Sequence, residues 1–173
     1  PFFIEELASL GDARLPNTLR DVVLARYERL SVPTKRVMRI TAAGGVHVDH
    51  AVLAAVHAGD AAELDDALAE AVSDQLLVPD RDGYTFRHAL IQEAVHDELL
   101  PGERIGVNAA YARELQQRVD AGERGIAAQV AEHWLAARDI AHAFDATGTA
   151  LAESRESRTI AASTRLGERL LEL

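Results

Sequence analysis

The chain has no cysteine, one methionine and one tryptophan among its 173 residues, and aromatics make up only 5%. Without cysteine there is neither a disulfide nor a thiolate metal site, and a reducing compartment is compatible with the sequence. No apolar run approaches the ~20 residues of a membrane span, and no signal-peptide pattern is visible. Basic residues are scarce: 18 Lys and Arg stand against 28 Asp and Glu, for a net charge of −10. That balance argues against a dedicated nucleic-acid binder, whose affinity comes largely from neutralising phosphates. There is no G-x-x-x-x-G-K-[ST] phosphate loop, and no Ser, His and Asp fall in a nucleophile-elbow pattern. Catalysis by this stretch is therefore not expected. The chain begins at Pro1, and its only methionine is Met38, so it reads as a fragment of something longer.

What is present is alanine, leucine and helical spacing. Hydrophobic residues reach 48%, enough for a core, and the scarcity of aromatics favours a mainly α protein. Phe2–Ser9 reads as a short helix. A second follows Pro16, with Leu19, Val22, Val23, Tyr27 and Leu30 at helical spacing. A third runs from Thr34 to Gly44-Gly45, and Val46–Val48 is a small extended piece. Asp49 is placed to cap a helix over His50–His57. Gly59-Asp60 opens the next, with Leu64, Leu68, Ala71 and Val72 on one side. Leu76–Pro79 and Tyr84–Phe86 read as two strands around the turn Asp80-Arg81-Asp82-Gly83.

The period then changes at one point. Tyr84 and Phe86 alternate as in a strand, and Leu90, Ile91, Ala94, Val95 and Leu99 recur as one helical face. Arg87 and His88 sit at the junction, where the unpaired N–H groups of a helix N-terminus favour an anion. Pro101-Gly102 is expected to break the chain. Helices are then expected over Ile105–Val119, Gly125–Ala137, Ala141–Glu153 and Ser157–Leu171. The stretch Ala131–Asp139 followed by Ala141 and Ala143 has the small residues of a tetratricopeptide-like helix-turn-helix.

Three helices followed by a hairpin is the order of a winged-helix domain. The expected architecture is a lid remnant over residues 1–30, a winged helix plus its following helix over 31–100, and antiparallel helical repeats over 101–173. Most of the negative charge falls between Pro33 and Leu100. In a DNA-reading winged helix the third helix enters the major groove. Here it carries Asp60, Glu63, Asp65, Asp66, Glu70 and Asp74 and no Lys or Arg, so this winged helix is not expected to read DNA. The acidic helix is either a solvated face or a dock for a basic partner or another subunit. His47, His50 and His57 invite a metal reading, but no carboxylate completes a ligand set, and no metal site is assigned. His96-Asp97 and His133 read as partly exposed helix residues. Trp134 reads as a core anchor of the repeats, with a ligand platform as the alternative.

Three blocks carry a resemblance: Pro1-Phe2-Phe3-Ile4-Glu5-Glu6-Leu7, Leu15-Pro16-Asn17-Thr18-Leu19-Arg20-Asp21-Val22-Val23, and Tyr84-Thr85-Phe86-Arg87-His88-Ala89-Leu90 through Arg104. They resemble the large ATP-binding transcriptional regulators of the LuxR type. These are STAND ATPases, signal-transducing relatives of the AAA+ proteins. The resemblance implies a bacterial, cytoplasmic parent that binds ATP or ADP with magnesium in a domain upstream of Pro1. It implies that DNA is bound through a separate terminal domain. The fragment would hold no cofactor itself. It would meet the upstream ATPase domain in cis, relay nucleotide state, and offer its helical repeats to a partner protein or to self-association. Related modules also occur in nucleotide cyclases and kinases, so a regulatory segment of such a signalling enzyme is the alternative. Two nucleotide contacts in the parent are implied. Pro1 corresponds to the proline of a Gly-x-Pro element that packs on the base. His88, beside Arg87, corresponds to the His of a Met-His-Asp motif that meets the β-phosphate of ADP; Ala89 stands where that motif has Asp. Read from the residues alone, His88 is either part of an anion-receptive helix N-terminus or a structural residue packing or capping the hairpin.

Overall fold

A computed structural model describes residues 24–157 of the chain. Pro1, the expected helix at Phe2–Ser9 and all but the first residue of the one expected at Ser157–Leu171 lie outside the described residues. After a helical stretch over residues 24–29, α1 spans Val32–Gly44. It starts two residues before the expected Thr34. Pro33 falls in the first turn, where a missing N–H costs nothing, and the Ser31 hydroxyl accepts from the Thr34 amide at 3.3 Å. The Glu70 carboxylate ties this start to the third helix, accepting from the Ser31 amide at 2.9 Å, the Ser31 hydroxyl at 2.7 Å and the Thr34 hydroxyl.

Strand β1 spans His47–Asp49, and Asp49 caps α2, His50–His57, by accepting from the Val52 amide at 3.0 Å. Asp60 caps α3, Ala61–Ser73, in the same way through Ala62 at 2.7 Å. Then come β2, Leu77–Pro79, and β3, Gly83–Phe86. Their turn closes on the Asp80 carboxylate, which accepts from the Asp82 and Gly83 amides at 3.1 and 2.9 Å. The expected extended piece before Asp49 becomes a third strand. The antiparallel sheet has the order β1-β3-β2, with Val48 opposite Tyr84 and Val78 opposite Thr85. Gly83 permits this closeness, since a Cβ there would collide with the Val48 carbonyl oxygen.

Four helices follow: α4 (Ala89–Asp97), α5 (Pro101–Asp120), α6 (Ala127–Ala136) and α7 (Ile140–Ser157). Two expected boundaries are corrected. Pro101-Gly102 belongs to the first turn of α5, because proline suits that position and the Glu103 carboxylate reaches back to the Leu100 amide at 3.1 Å. The helix expected to end at Glu153 continues to Ser157, no glycine or proline being there to stop it.

The fold is mainly helical with one small sheet. Helix α1 packs on α3, α4 and α5; α2 packs on α5; and α5, α6 and α7 pack in succession. The α6–α7 seam is built largely of alanine, with Ala127, Ala131, Ala143, Ala146 and Ala150 all buried. One hydrophobic cluster runs from Tyr27 through Met38, Leu53, Leu68, Phe86 and Ile91 to Tyr111, Trp134 and Ala146. Among the described residues no helix is long and apolar enough to cross a membrane.

Candidate functional site

The corner between β3 and α4 is held from both sides. Phe86, buried, donates its amide to Val46 at 2.8 Å, and the next amide, Arg87, turns the other way to Leu76 at 3.0 Å. The Arg87 Nε donates to the Gln75 carbonyl at 3.1 Å, and Gln75 lies in the left-handed region at φ 61°. The two terminal nitrogens of Arg87 have no partner among the described residues. His88 is the N-cap of α4 in extended backbone, and its imidazole makes no capping bond. Arg87, His88 and Ala89 are all exposed, and the first turn of α4 has no acidic residue to occupy the helix N-terminus. The corner therefore presents an imidazole, a guanidinium and free backbone N–H groups to solvent, a chemistry that suits an anion. Arg87 and His88 are adjacent here. Pro1 lies outside the described residues, so nothing brings it to them.

The other side of α4 is fastened to two helices. Ile91 and Val95 are buried, and the Gln92 side-chain amide donates to the Ala42 carbonyl of α1 at 2.7 Å. Arg104 of α5 donates to the His96 carbonyl at 3.3 Å. His96 is half-buried, and burial, with Arg104 nearby, lowers its pKa.

Beyond α4 lies a buried polar seam that the sequence did not reveal. The Tyr111 hydroxyl of α5 donates to the Ile40 carbonyl of α1 at 3.0 Å. Its ring stacks on His133 of α6, with centroids 5.0 Å apart and planes 13° from parallel. The His133 Nδ1 meets the Asn108 side-chain oxygen at 2.8 Å, and the Asn108 amide donates to the Arg104 carbonyl at 2.8 Å. Since that amide nitrogen is the donor to Arg104, the Asn108 oxygen accepts and Nδ1 carries the proton. Burial lowers the His133 pKa to about 4 and raises that of Tyr111. His133 was expected to be partly exposed; it is buried, because α6 turns both His133 and Trp134 inward. The one available signal was Asn108, a polar residue three positions before Tyr111 in an otherwise apolar stripe.

The remaining candidates separate. His47 meets Asp80 at 3.0 Å, His50 lies against the Tyr84 ring, and His57 is buried at the end of α2. Among the described residues no three His, Asp or Glu side chains are grouped to hold a metal ion. Trp134 is buried and stacks on the exposed ring of His142 in α7, with centroids 4.7 Å apart. Comparison with protein-family models, curated proteins and solved structures found no match to this chain.

Proposed function

We propose that this chain is the regulatory segment of a LuxR-type, ATP-dependent bacterial transcriptional regulator. It relays nucleotide state from an upstream ATPase domain to its helical repeats and does not itself catalyse. In this reading residues 31–100 are a winged helix with its following helix, and α5 to α7 begin a tetratricopeptide-like array. The order α1-β1-α2-α3-β2-β3 with the sheet order β1-β3-β2 supports the first assignment. The alanine-rich α6–α7 packing supports the second.

The observation that carries the proposal is the placement of α4. Its N-terminal end is the exposed Arg87–His88 corner, and its other contacts run to α1 and α5. A phosphate meeting His88 in one nucleotide state only would bias the position of α4, and with it the helices fastened to it. The bias is at most the differential energy of a charge-assisted hydrogen bond, about 1.5–3 kcal/mol. DNA reading by α3 is disfavoured. Its six carboxylates, from Asp60 to Asp74, would face phosphates with no cation on the helix to release counterions.

Two measurements on the parent protein test the reading. His88→Ala should weaken ADP binding by about tenfold or more, the loss of one charge-assisted bond. Unchanged affinity would make His88 structural and end the switch reading. Residues 1–173 alone should give no mobility shift with duplex DNA at low salt. A shift that weakens steeply with added salt would overturn the charge argument.

A further inference from the structure

Among the described residues, no strand pairs with the outer edge of β1. The Phe86 amide bonds to Val46 and the His50 amide to Asp82, so the residues of β1 alternate in which way their backbone groups point. Val48 faces β3, opposite Tyr84. The His47 N–H and C=O and the Asp49 N–H point away from the sheet. The sheet order makes β1 an edge strand, and no backbone partner among the described residues meets these groups. Beside them is a cleft of about 160 Å³ between β1 and the α5–α6 connection. Its apolar lining includes Val52, Leu115 and Ile126, and Asp49 and Glu123 bring carboxylates to it. The single guanidinium there, Arg118, is already held by Glu114 at 3.1 Å and by Asp49 at 3.6 Å. The cleft is too small for a typical small-molecule pocket of roughly 300–1,000 Å³ and suits a side chain or two.

We propose that this edge and cleft form a strand-addition site for a short, extended, basic segment of a partner protein. The unpaired amides specify an extended backbone, which can complete the ladder as a fourth strand. The apolar lining takes an aliphatic side chain from one face of that strand. The surplus of carboxylate over free cation selects Lys or Arg beside it. Neither Arg87 nor His88 lines the cleft, and the site does not depend on the nucleotide reading. Only three residues of edge are offered, so binding is modest and transient.

The test begins with selection of random heptapeptides displayed on phage against the 173-residue chain. The best-enriched sequence, synthesised with a fluorescein label, is then titrated by anisotropy and by amide NMR. The expected sequence alternates aliphatic with basic residues, and its binding shifts the His47 and Asp49 amides and slows their hydrogen exchange. Glu123→Lys, an exposed change, should weaken it several-fold. Failure to enrich any sequence would overturn the proposal. So would an enriched peptide that leaves the His47 and Asp49 amides unmoved, as one bound only to the acidic face of α3 would.

Discussion

Gly44 is the last residue of α1, where alanine would ordinarily be an improvement. Replacing glycine by alanine within a helix stabilises by roughly 0.5–1 kcal/mol. At Gly44 the added Cβ would lie 2.6 Å from the Tyr111 Oη, 2.7 Å from its Cζ and 2.7 Å from the Val48 Cγ2. These neighbours have little room, because Tyr111 is 1% exposed and Val48 is 3% exposed. Moving the ring also breaks its bond to the Ile40 carbonyl and disturbs its stack on His133. Overpacking costs about 1–3 kcal/mol and a lost buried hydrogen bond about 1 kcal/mol more. The clash therefore exceeds the propensity gain, and Gly44→Ala should destabilise by about 1–3 kcal/mol. Gly106→Ala is the control. It lies in α5, a Cβ there meets nothing within 4 Å, and it should stabilise by roughly 0.5–1 kcal/mol. Urea denaturation followed by circular dichroism reads both changes. If Gly44→Ala were as stable as the unsubstituted chain, α5 would not be seated on α1 as described.

Two further outcomes follow from the same packing. His133 is neutral in the fold, with its pKa lowered to about 4 by burial, whereas in the unfolded chain it titrates near 6.5. Between those values the unfolded state binds more protons. The stability held by neutral His133 is thus whole above pH 6.5 and is lost as the pH falls toward 4, by up to about 3 kcal/mol. Urea midpoints of wild type and His133→Gln should diverge with pH in that window, and parallel pH profiles would refute the burial of a neutral imidazole. Gly83→Ala should abolish pairing of β1 with β3, since the new Cβ meets the backbone of Val48, which cannot yield as a side-chain tip can. Loss of amide protection at Tyr84 and Phe86 is the readout, and retained protection would contradict the register.

The helices and the hairpin were legible because each carries a local signal. Asp49 and Asp60 are caps at the start of apolar periods, and Asp80 to Gly83 is a turn with its own side-chain acceptor. Strand β1 was only half legible: three residues hold too little alternation, and their pairing with β3 across more than thirty residues is a tertiary fact. The start of α5 is hard to place from sequence because Pro-Gly signals a break as readily as a first turn, and the deciding group, Glu103, acts backwards on Leu100. The Arg87–His88 corner was legible as a change of period. The seam of Tyr111, His133 and Asn108 was not, since each residue looks ordinary until α5 and α6 are brought face to face.

Hydrogen exchange along α4, residues 89–97, in the proposed parent protein loaded with ADP or with ATP tests the proposed relay most directly. Exchange at the first turn of α4 should be slower with ADP than with ATP, and His88→Ala should remove that difference. Equal exchange in the two nucleotide states, with wild type and His88→Ala alike, would contradict it.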